Sequence, residues 1–107
     1  MVKIEQYQDP SGANPFRLWF GKLRDAIAKA AIAKRLDRLA LGNAGSSRSV
    51  GSGVTELKVD VGPGYRVYIA HHGDRLVILL CGGDKSTQVK DIELAKTYWQ
   101  DWKRRHI

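Results

Sequence analysis

The sequence has a single cysteine, Cys81, and this scarcity excludes several kinds of protein. One thiol cannot form a disulfide within the chain, so nothing indicates an oxidising compartment. A zinc site is disfavoured as well, because the histidines and carboxylates lack metal-ligand spacing. We therefore expect no bound metal.

Long apolar runs are also missing. No stretch reaches the roughly 20 residues that cross a bilayer, and Glu5 and Asp9 stand where a signal peptide would be apolar. The glycines at 51, 53, 62 and 64 lack the strand-to-helix setting of a phosphate-binding loop. We therefore expect a cytoplasmic protein with no membrane contact and no cofactor.

Acidic residues are few. The 107 residues include 18 Lys and Arg against 11 Asp and Glu, which gives a formal charge of +7. Such a balance favours a polyanionic partner, either nucleic acid or an acidic protein. A chain of this length has room for one core, so residues 1–107 are predicted to form a single domain.

The first half predicts one strand and two helices. Alternating side chains over residues 2–8 indicate a strand that a turn closes at 9–12. Asn14-Pro15 has the form of a helix N-cap followed by a first-turn proline. Apolar residues then recur at helical spacing, with a break over 21–25 and an end at Gly42-Asn43. The Gly- and Ser-rich stretch 42–53 is predicted to be a loop.

The second half changes to strand periodicity. Alternation over 55–61, the connection 62–64 and a return strand predict an antiparallel hairpin, and the apolar run 76–81 predicts a central strand. Gly82-Gly83 should end that strand, and residues 91–105 should form a helix that docks Trp99 and Trp102 on the sheet. The predicted fold is α+β, a small antiparallel sheet packed by helices in the order β-α-α-β-β-β-α.

One face of the predicted hairpin is polar. If residues 62–64 form the loop, Asp60 pairs with Arg66 and Lys58 pairs with Tyr68. Lys85 follows the two glycines, which would place its ammonium beside that face. Alternation puts five polar side chains opposite the core: Glu56, Lys58, Asp60, Arg66 and Tyr68.

This polar face has two interpretations. RNA cleavage through its own 2′-hydroxyl needs cations around the phosphorane and no metal. Lys58, Arg66 and Lys85 would supply the cations, and Tyr68 can stack on a base or lend a phenol. The alternative is a cross-strand pair of Asp60 with Arg66 on a solvated sheet, worth about 0.2 to 1 kcal/mol.

Most of the excess positive charge lies in residues 22–48, where seven basic residues stand against two acids. On the second helix, Lys29, Lys34 and Arg38 are candidate contacts to RNA backbone phosphates. A solvated helix face would explain the same charges.

Three motifs resemble the phage-derived "addiction module killer" branch of the RelE/HigB toxins. They are Gly53-Val54-Thr55-Glu56-Leu57-Lys58, Gly62-Pro63-Gly64-Tyr65-Arg66-Val67-Tyr68 and Leu79-Leu80-Cys81-Gly82-Gly83-Asp84-Lys85-Ser86-Thr87-Gln88, with Asp91, Ile92 and Ala95 following. Phe16, Trp19, Leu23 and residues 35–43 are similar too, so the resemblance covers nearly the whole chain. It implies a toxin fold with the active site on the concave sheet face.

The resemblance also implies an activity: metal-independent cleavage of messenger RNA on the ribosome, which inhibits translation. Relatives that cut RNA use an arginine at the position of Arg66, with basic residues that map here to Lys58 and Lys85. The implied partners are the ribosome, messenger RNA and a helix-turn-helix antitoxin.

The general acid and base stay open. RelE has a tyrosine at the start of its last helix, where counting from the glycines places Asp91, the candidate acid or base. HigB-type toxins often have a histidine in the site, and none of His71, His72 and His106 has a clearly equivalent position.

Two other functions fit the same resemblance. ParE-type relatives share the fold but poison DNA gyrase by binding, without cutting RNA. A binding module or decayed toxin without activity of its own is the third class. The presence of Arg66 and Lys85 favours the nuclease.

Overall fold

A computed structural model describes residues 1–106, which form a five-stranded mixed sheet packed against three helices. The α+β class is confirmed. In chain order the elements are β1 (Lys3–Gln6), α1 (Pro15–Lys22), α2 (Ala26–Ala40), β2 (Ser47–Gly51), β3 (Val54–Val59), β4 (Tyr65–His72), β5 (Leu76–Asp84), a 3-10 turn (Lys85–Thr87) and α3 (Gln88–His106). The strand order across the sheet is β1-β5-β4-β3-β2.

The first two helices begin at side-chain caps. The Asn14 side chain accepts the Arg17 N–H at 3.0 Å, as the Asn-Pro pair predicts. The Asp25 carboxylate accepts the N–H groups of Ile27 and Ala28 at 3.0 and 3.1 Å. Each such cap stabilises its helix by about 1 kcal/mol. The apolar sides of both helices pack on one face of the sheet.

Helix α3 covers the opposite face. Trp99 and Trp102 are buried there and stack with ring centroids 5.4 Å apart, which confirms their predicted docking. The Cys81 thiol lies in the same core, where burial raises its pKa and keeps it protonated. Strand β5 is therefore covered on both faces, as its continuous apolar run predicts.

Two features of the predicted sheet are wrong. Strand β1 pairs parallel to β5, so the sheet is mixed and not purely antiparallel. Residues predicted as loop form the edge strand β2, which pairs antiparallel with β3. All of β2 except Val50 is exposed, so its sequence has no apolar alternation to reveal it.

The predicted hairpin register is also wrong. Lys58 pairs with Arg66 and Glu56 pairs with Tyr68, and residues 60–64 form a five-residue connection. Gly62 and Gly64 both have positive φ, at 54° and 82°, so this longer loop needs both glycines. The shift is two residues, which leaves each side chain on its predicted face.

Gly82 and Gly83 continue β5 instead of ending it. A Cβ at Gly82 would overlap the Trp19 indole, and one at Gly83 would overlap the Asp91 carboxylate. Both glycines therefore allow close packing within the strand. The chain turns only after Asp84, and α3 begins at Gln88 rather than at Asp91.

We expect Gly82→Ala to lower the free energy of unfolding by about 1–3 kcal/mol, because the added methyl group overlaps a packed indole. Urea unfolding measures this change. Gly21→Ala is the matched control, since nothing lies within 4 Å of the Cβ it would add. Equal unfolding midpoints for the two variants would contradict a tight contact at Trp19.

Candidate functional site

A cavity of about 250 Å³ opens on the α3 side of the sheet, beside the first residue of that helix. The strand pairing sets Lys58 directly opposite Arg66 at its wall. Seven residues line it: Ser46, Ser47, Arg48, Glu56, Lys58, Arg66 and Gln88. They come from β2 and the loop before it, β3, β4 and α3, so the fold gathers them from four segments.

The centre of this site is the Glu56 carboxylate, which is only 4% exposed. Its Oε1 accepts a hydrogen bond from Arg48 Nε at 2.9 Å and lies 3.8 Å from Arg66 Nε. Its Oε2 accepts from Gln88 Nε2 at 2.9 Å and from the Tyr68 hydroxyl at 3.2 Å. Four side chains therefore converge on one buried negative charge.

Glu56 stays ionised in this setting. Burial by itself raises the pKa of the carboxyl, but hydrogen bonds from Arg48 and Gln88 and the charge of Arg48 hold that pKa below its usual value. A carboxylate whose oxygens already accept these bonds is a weak base. Glu56 is suited to position the cations around it rather than to take a proton.

Arg66 is the buried cation of the site, 7% exposed. Its Nη1 donates to the Gly64 carbonyl at 3.1 Å, and its buried Nε has no hydrogen-bond partner within residues 1–106. A guanidinium carries five N–H donors, and an unsatisfied buried donor costs about 1–3 kcal/mol. The Glu56 carboxylate, 3.8 Å from this Nε, offsets part of that cost by its charge.

Lys58 connects this cavity to a second one of about 250 Å³, which it also lines, together with residues of α2. The cations there are Lys34, Arg35 and Arg38. Burial, and then the charge of Arg38, lower the pKa of Arg35. Positive charge therefore extends from α2 to Arg66. Lys29 lies elsewhere, with its Nζ 5.2 Å from the centroid of the Phe20 ring.

Two candidate residues lie outside both cavities. Lys85 is exposed on the 3-10 turn, two residues beyond Gly83, which pairs with Arg66. Asp91 lies in the first turn of α3 and accepts a hydrogen bond from the Thr87 hydroxyl at 2.5 Å. Burial raises the pKa of Asp91, and the Thr87 hydrogen bond opposes that shift.

None of the three histidines lines the cavity. His72 ends β4, the strand that begins beside Arg66, and its ring is 5.0 Å from that of Trp102. His106, at the end of α3, stacks on the same indole with ring centroids 4.2 Å apart.

The exposed position expected for Tyr68 is wrong. The side chain is 0% exposed, because α3 covers this part of the sheet, and its hydroxyl is committed to Glu56. Stacking of Tyr68 on an RNA base is thereby excluded in this conformation. The solvated polar face expected around Arg66 is wrong for the same reason. The expected pair of Asp60 with Arg66 is also wrong, because the Asp60 carboxylate lies 3.4 Å from Lys58 Nζ and pairs with that lysine.

Sequence reasoning gave no role to three contributors to the site: Arg48, Glu56 and Gln88. Alternation already placed Glu56 among the cations, and an acid there could have indicated a central role. Arg48 lies on β2, which has no recognisable pattern. Gln88 precedes the residue at which the last helix was predicted to begin.

The described residues give two further results. Within residues 1–106, no helix has the length and apolar character needed to span a membrane. The same residues contain no group of three or more His, Cys, Asp or Glu side chains that could hold a metal ion.

The fold and the cavity define a small basic α+β protein with arginines around a buried carboxylate. Residues 19–104 match the family described as "Phage derived protein Gp49-like (DUF891)", and the chain belongs to this family, which is associated with addiction-module killer proteins. A protein of Haemophilus influenzae described as "Uncharacterized protein" is 52% identical over 86 residues, which cover 80% of this chain and 87% of that protein.

We expect the stability difference between the wild type and Glu56→Gln to depend on pH. The folded-state pKa of Glu56 is lowered, so its stabilising effect is full above the ordinary glutamate pKa of 4.5 and is lost as pH falls through the folded value. Near pH 7 the variant should lose about 1–3 kcal/mol of unfolding free energy, and near pH 3 much less.

Chemical unfolding at a series of pH values measures this difference. Glu93→Gln, at an exposed position of α3, is the control and should show almost no difference at any pH. A Glu56→Gln deficit that is constant from pH 7 to pH 3 would contradict the ionised, hydrogen-bonded carboxylate.

Proposed function

We propose that this protein is the toxin of a toxin–antitoxin pair and inhibits translation by cleaving messenger RNA on the ribosome. The observation that carries the proposal is Arg66, a buried guanidinium at the wall of a cavity that Arg48 and Lys58 also line. Membership of a family associated with addiction-module killer proteins supports the toxin role.

In the proposed reaction, the RNA 2′-oxygen attacks the adjacent phosphorus and the bond from phosphorus to the 5′-oxygen breaks. The 2′-hydroxyl loses its proton, and the leaving oxygen gains one. Arg66 and Lys58 stabilise the negative charge that develops on the phosphate, with Lys85 reaching in from the 3-10 turn. No step requires a metal or a cofactor.

Proton transfer is the step of this reaction to which the side chains lining the cavity contribute least. Its carboxylate, Glu56, is a weak base. Asp91 lies outside the cavity, and burial raises the pKa of its carboxyl, which makes it a better proton acceptor than an ordinary aspartate. A role for Asp91 requires RNA that extends from the cavity towards the start of α3, where this carboxyl lies beside Gly83.

The second cavity gives the RNA a path. Lys34 and Arg38 border it on α2, and Lys58 joins it to the site. We propose that these cations bind backbone phosphates next to the scissile one, which contributes affinity without sequence preference.

A second candidate function is binding and poisoning of DNA gyrase, as in ParE-type relatives. One feature of the described cavity favours it: no histidine lines it, and its single carboxylate is held by three hydrogen-bond donors and the nearby Arg66 charge. A protein that acts only by binding needs no proton acceptor there.

We expect Arg66→Ala and Lys85→Ala each to relieve growth arrest and to slow message cleavage, by about 10²- to 10³-fold for a lost transition-state contact. The assay maps cleavage within codons after induction and records DNA breaks in parallel. Circular dichroism checks that each variant folds, and Arg104→Ala, at an exposed site on α3, is the control. Normal cleavage by both variants would refute this site, and DNA breaks that precede cleavage would favour gyrase.

We expect Lys34→Ala and Arg38→Ala to weaken co-sedimentation with ribosomes and to reduce its salt dependence, by about one unit of log–log slope for each lost phosphate contact. Lys29→Ala was expected from sequence to act similarly, but Lys29 lines neither cavity and is now the matched control. An equal effect of all three substitutions would contradict a path through the second cavity.

A further inference from the structure

Arg48 is a cation of the cavity that has no task in the reaction described above. It lies on β2 and pairs directly with Glu56 across the β2–β3 ladder. Its Nε donates to Glu56 Oε1 at 2.9 Å, yet 61% of the Arg48 side chain is exposed. Arg48 also lines the cavity beside Arg66. This guanidinium is therefore anchored at Nε while the rest of the side chain borders the opening.

The contact with Glu56 uses one of the five N–H donors of Arg48. Arginine and a carboxylate frequently form two parallel hydrogen bonds, but here Oε2, the second oxygen of Glu56, already accepts from Tyr68 and Gln88. Within residues 1–106, no acceptor receives a hydrogen bond from Nη1 or Nη2 of Arg48. These two terminal nitrogens remain available to a ligand.

Arg66 approaches the same carboxylate oxygen from β4. Its Nε lies 3.8 Å from Glu56 Oε1 and its Nη1 donates to the Gly64 carbonyl, while no group in the described part of the chain accepts from its Nη2. Both arginines thus turn Nε towards one oxygen and keep terminal N–H groups for other partners. A guanidinium fixed in this way needs little rearrangement to bind an anion.

The charges that line the cavity match a dianion. Arg48, Lys58 and Arg66 stand against the single carboxylate of Glu56, which gives the lining a formal charge of +2. An RNA phosphodiester carries one negative charge, and the phosphorane that forms when the 2′-oxygen attacks it carries two. The lining therefore attracts the phosphorane more strongly than the intact diester, and such a difference accelerates a reaction.

We propose that Arg48 is a further catalytic residue of the proposed reaction and binds a non-bridging oxygen of the scissile phosphate through its terminal N–H groups, beside Arg66. Glu56 is the positioning residue that holds both guanidiniums at the cavity. Arg48 stabilises charge and gives up no proton. The proposal rests on the proposed function, because it places the scissile phosphate in this cavity.

A purely structural Arg48 would only neutralise Glu56 and hold β2 on the sheet. Lysine separates the two roles, because an ammonium can contact Oε1 but has no planar fork of terminal N–H groups. We expect Arg48→Lys to keep the free energy of unfolding near the wild-type value and to slow message cleavage by about tenfold or more. Recovery of both stability and cleavage in Arg48→Lys would assign Arg48 a structural role and overturn the proposal.

The cleavage assay follows a ribosome-bound message at limiting and saturating concentrations. Arg48→Ala should lower kcat by about 10²-fold and change KM much less, because the contact strengthens as charge develops on the phosphate. Arg75→Ala and Arg75→Lys are the matched controls and should cleave like the wild type, since Arg75 is exposed and lines neither cavity. Undiminished cleavage by Arg48→Ala would refute the role of Arg48 alone.

A titration detects the contact without any cleavage. The probe is uridine 3′-monophosphate, whose terminal phosphate carries close to two negative charges at neutral pH. It should shift the side-chain N–H signals of Arg48 and Arg66 in NMR spectra, and Arg48→Ala should weaken its binding by about tenfold or more.

Failure of this proposal and failure of the proposed function give different results. No binding of the probe to the wild type, or equal binding to Arg48→Ala, would overturn the phosphate contact. Absence of message cleavage by the wild type would refute the proposed function and the catalytic role of Arg48 with it, and the titration would still decide whether Arg48 binds phosphate.

Discussion

Burial of the Glu56 carboxylate is the constraint around which the sheet is organised. An ionised carboxylate taken out of water is costly unless hydrogen bonds and opposite charges surround it, and here they come from β2, β4 and α3. Because those donors lie on separate elements, the charge can be satisfied only in the complete fold. The same constraint fixes the β3–β4 register, since a one-residue slip of β3 would turn Glu56 into the core under α1 and α2 and away from Arg66.

This arrangement divides the molecule into two surfaces with different chemistry. The α3 side holds arginines around a carboxylate, and the α1 side presents apolar grooves with a cationic rim. The cations of α2 and those around Glu56 meet at the end of the β2–β3 pairing. The last paired residue of β3 is Leu57, and Lys58 follows it. At this short uncovered edge the α2 cations reach the neighbourhood of Lys58, so charge from one side of the sheet adds to the field on the other.

Local sequence rules predicted the features that depend on neighbouring residues. The Asn14-Pro15 cap, the break before α2 and the helical position of the two tryptophans follow from local geometry. Alternation placed Lys58 and Arg66 on one face even though the register was wrong, because a two-residue shift preserves the face. Tertiary coverage was beyond such rules: the burial of Tyr68 depends on where α3 lies, and β2 is held by its pairing with β3 rather than by any apolar pattern of its own.

Preorganisation connects this architecture to the proposed reaction. Arg66 is fixed by Gly64 and by the nearby Glu56 charge before any substrate arrives, so its guanidinium needs little rearrangement to stabilise a phosphorane. The same Glu56 contacts that fix the cations occupy the carboxylate and leave it a weak base. Under the proposed function, the protein therefore supplies mainly charge stabilisation, and alignment of the 2′-hydroxyl for in-line attack must come from the way the message is held. Orientation of that kind can supply roughly 7–11 kcal/mol of a reaction barrier, which gives a physical reason for cleavage to take place on the ribosome, where the message is already held in place.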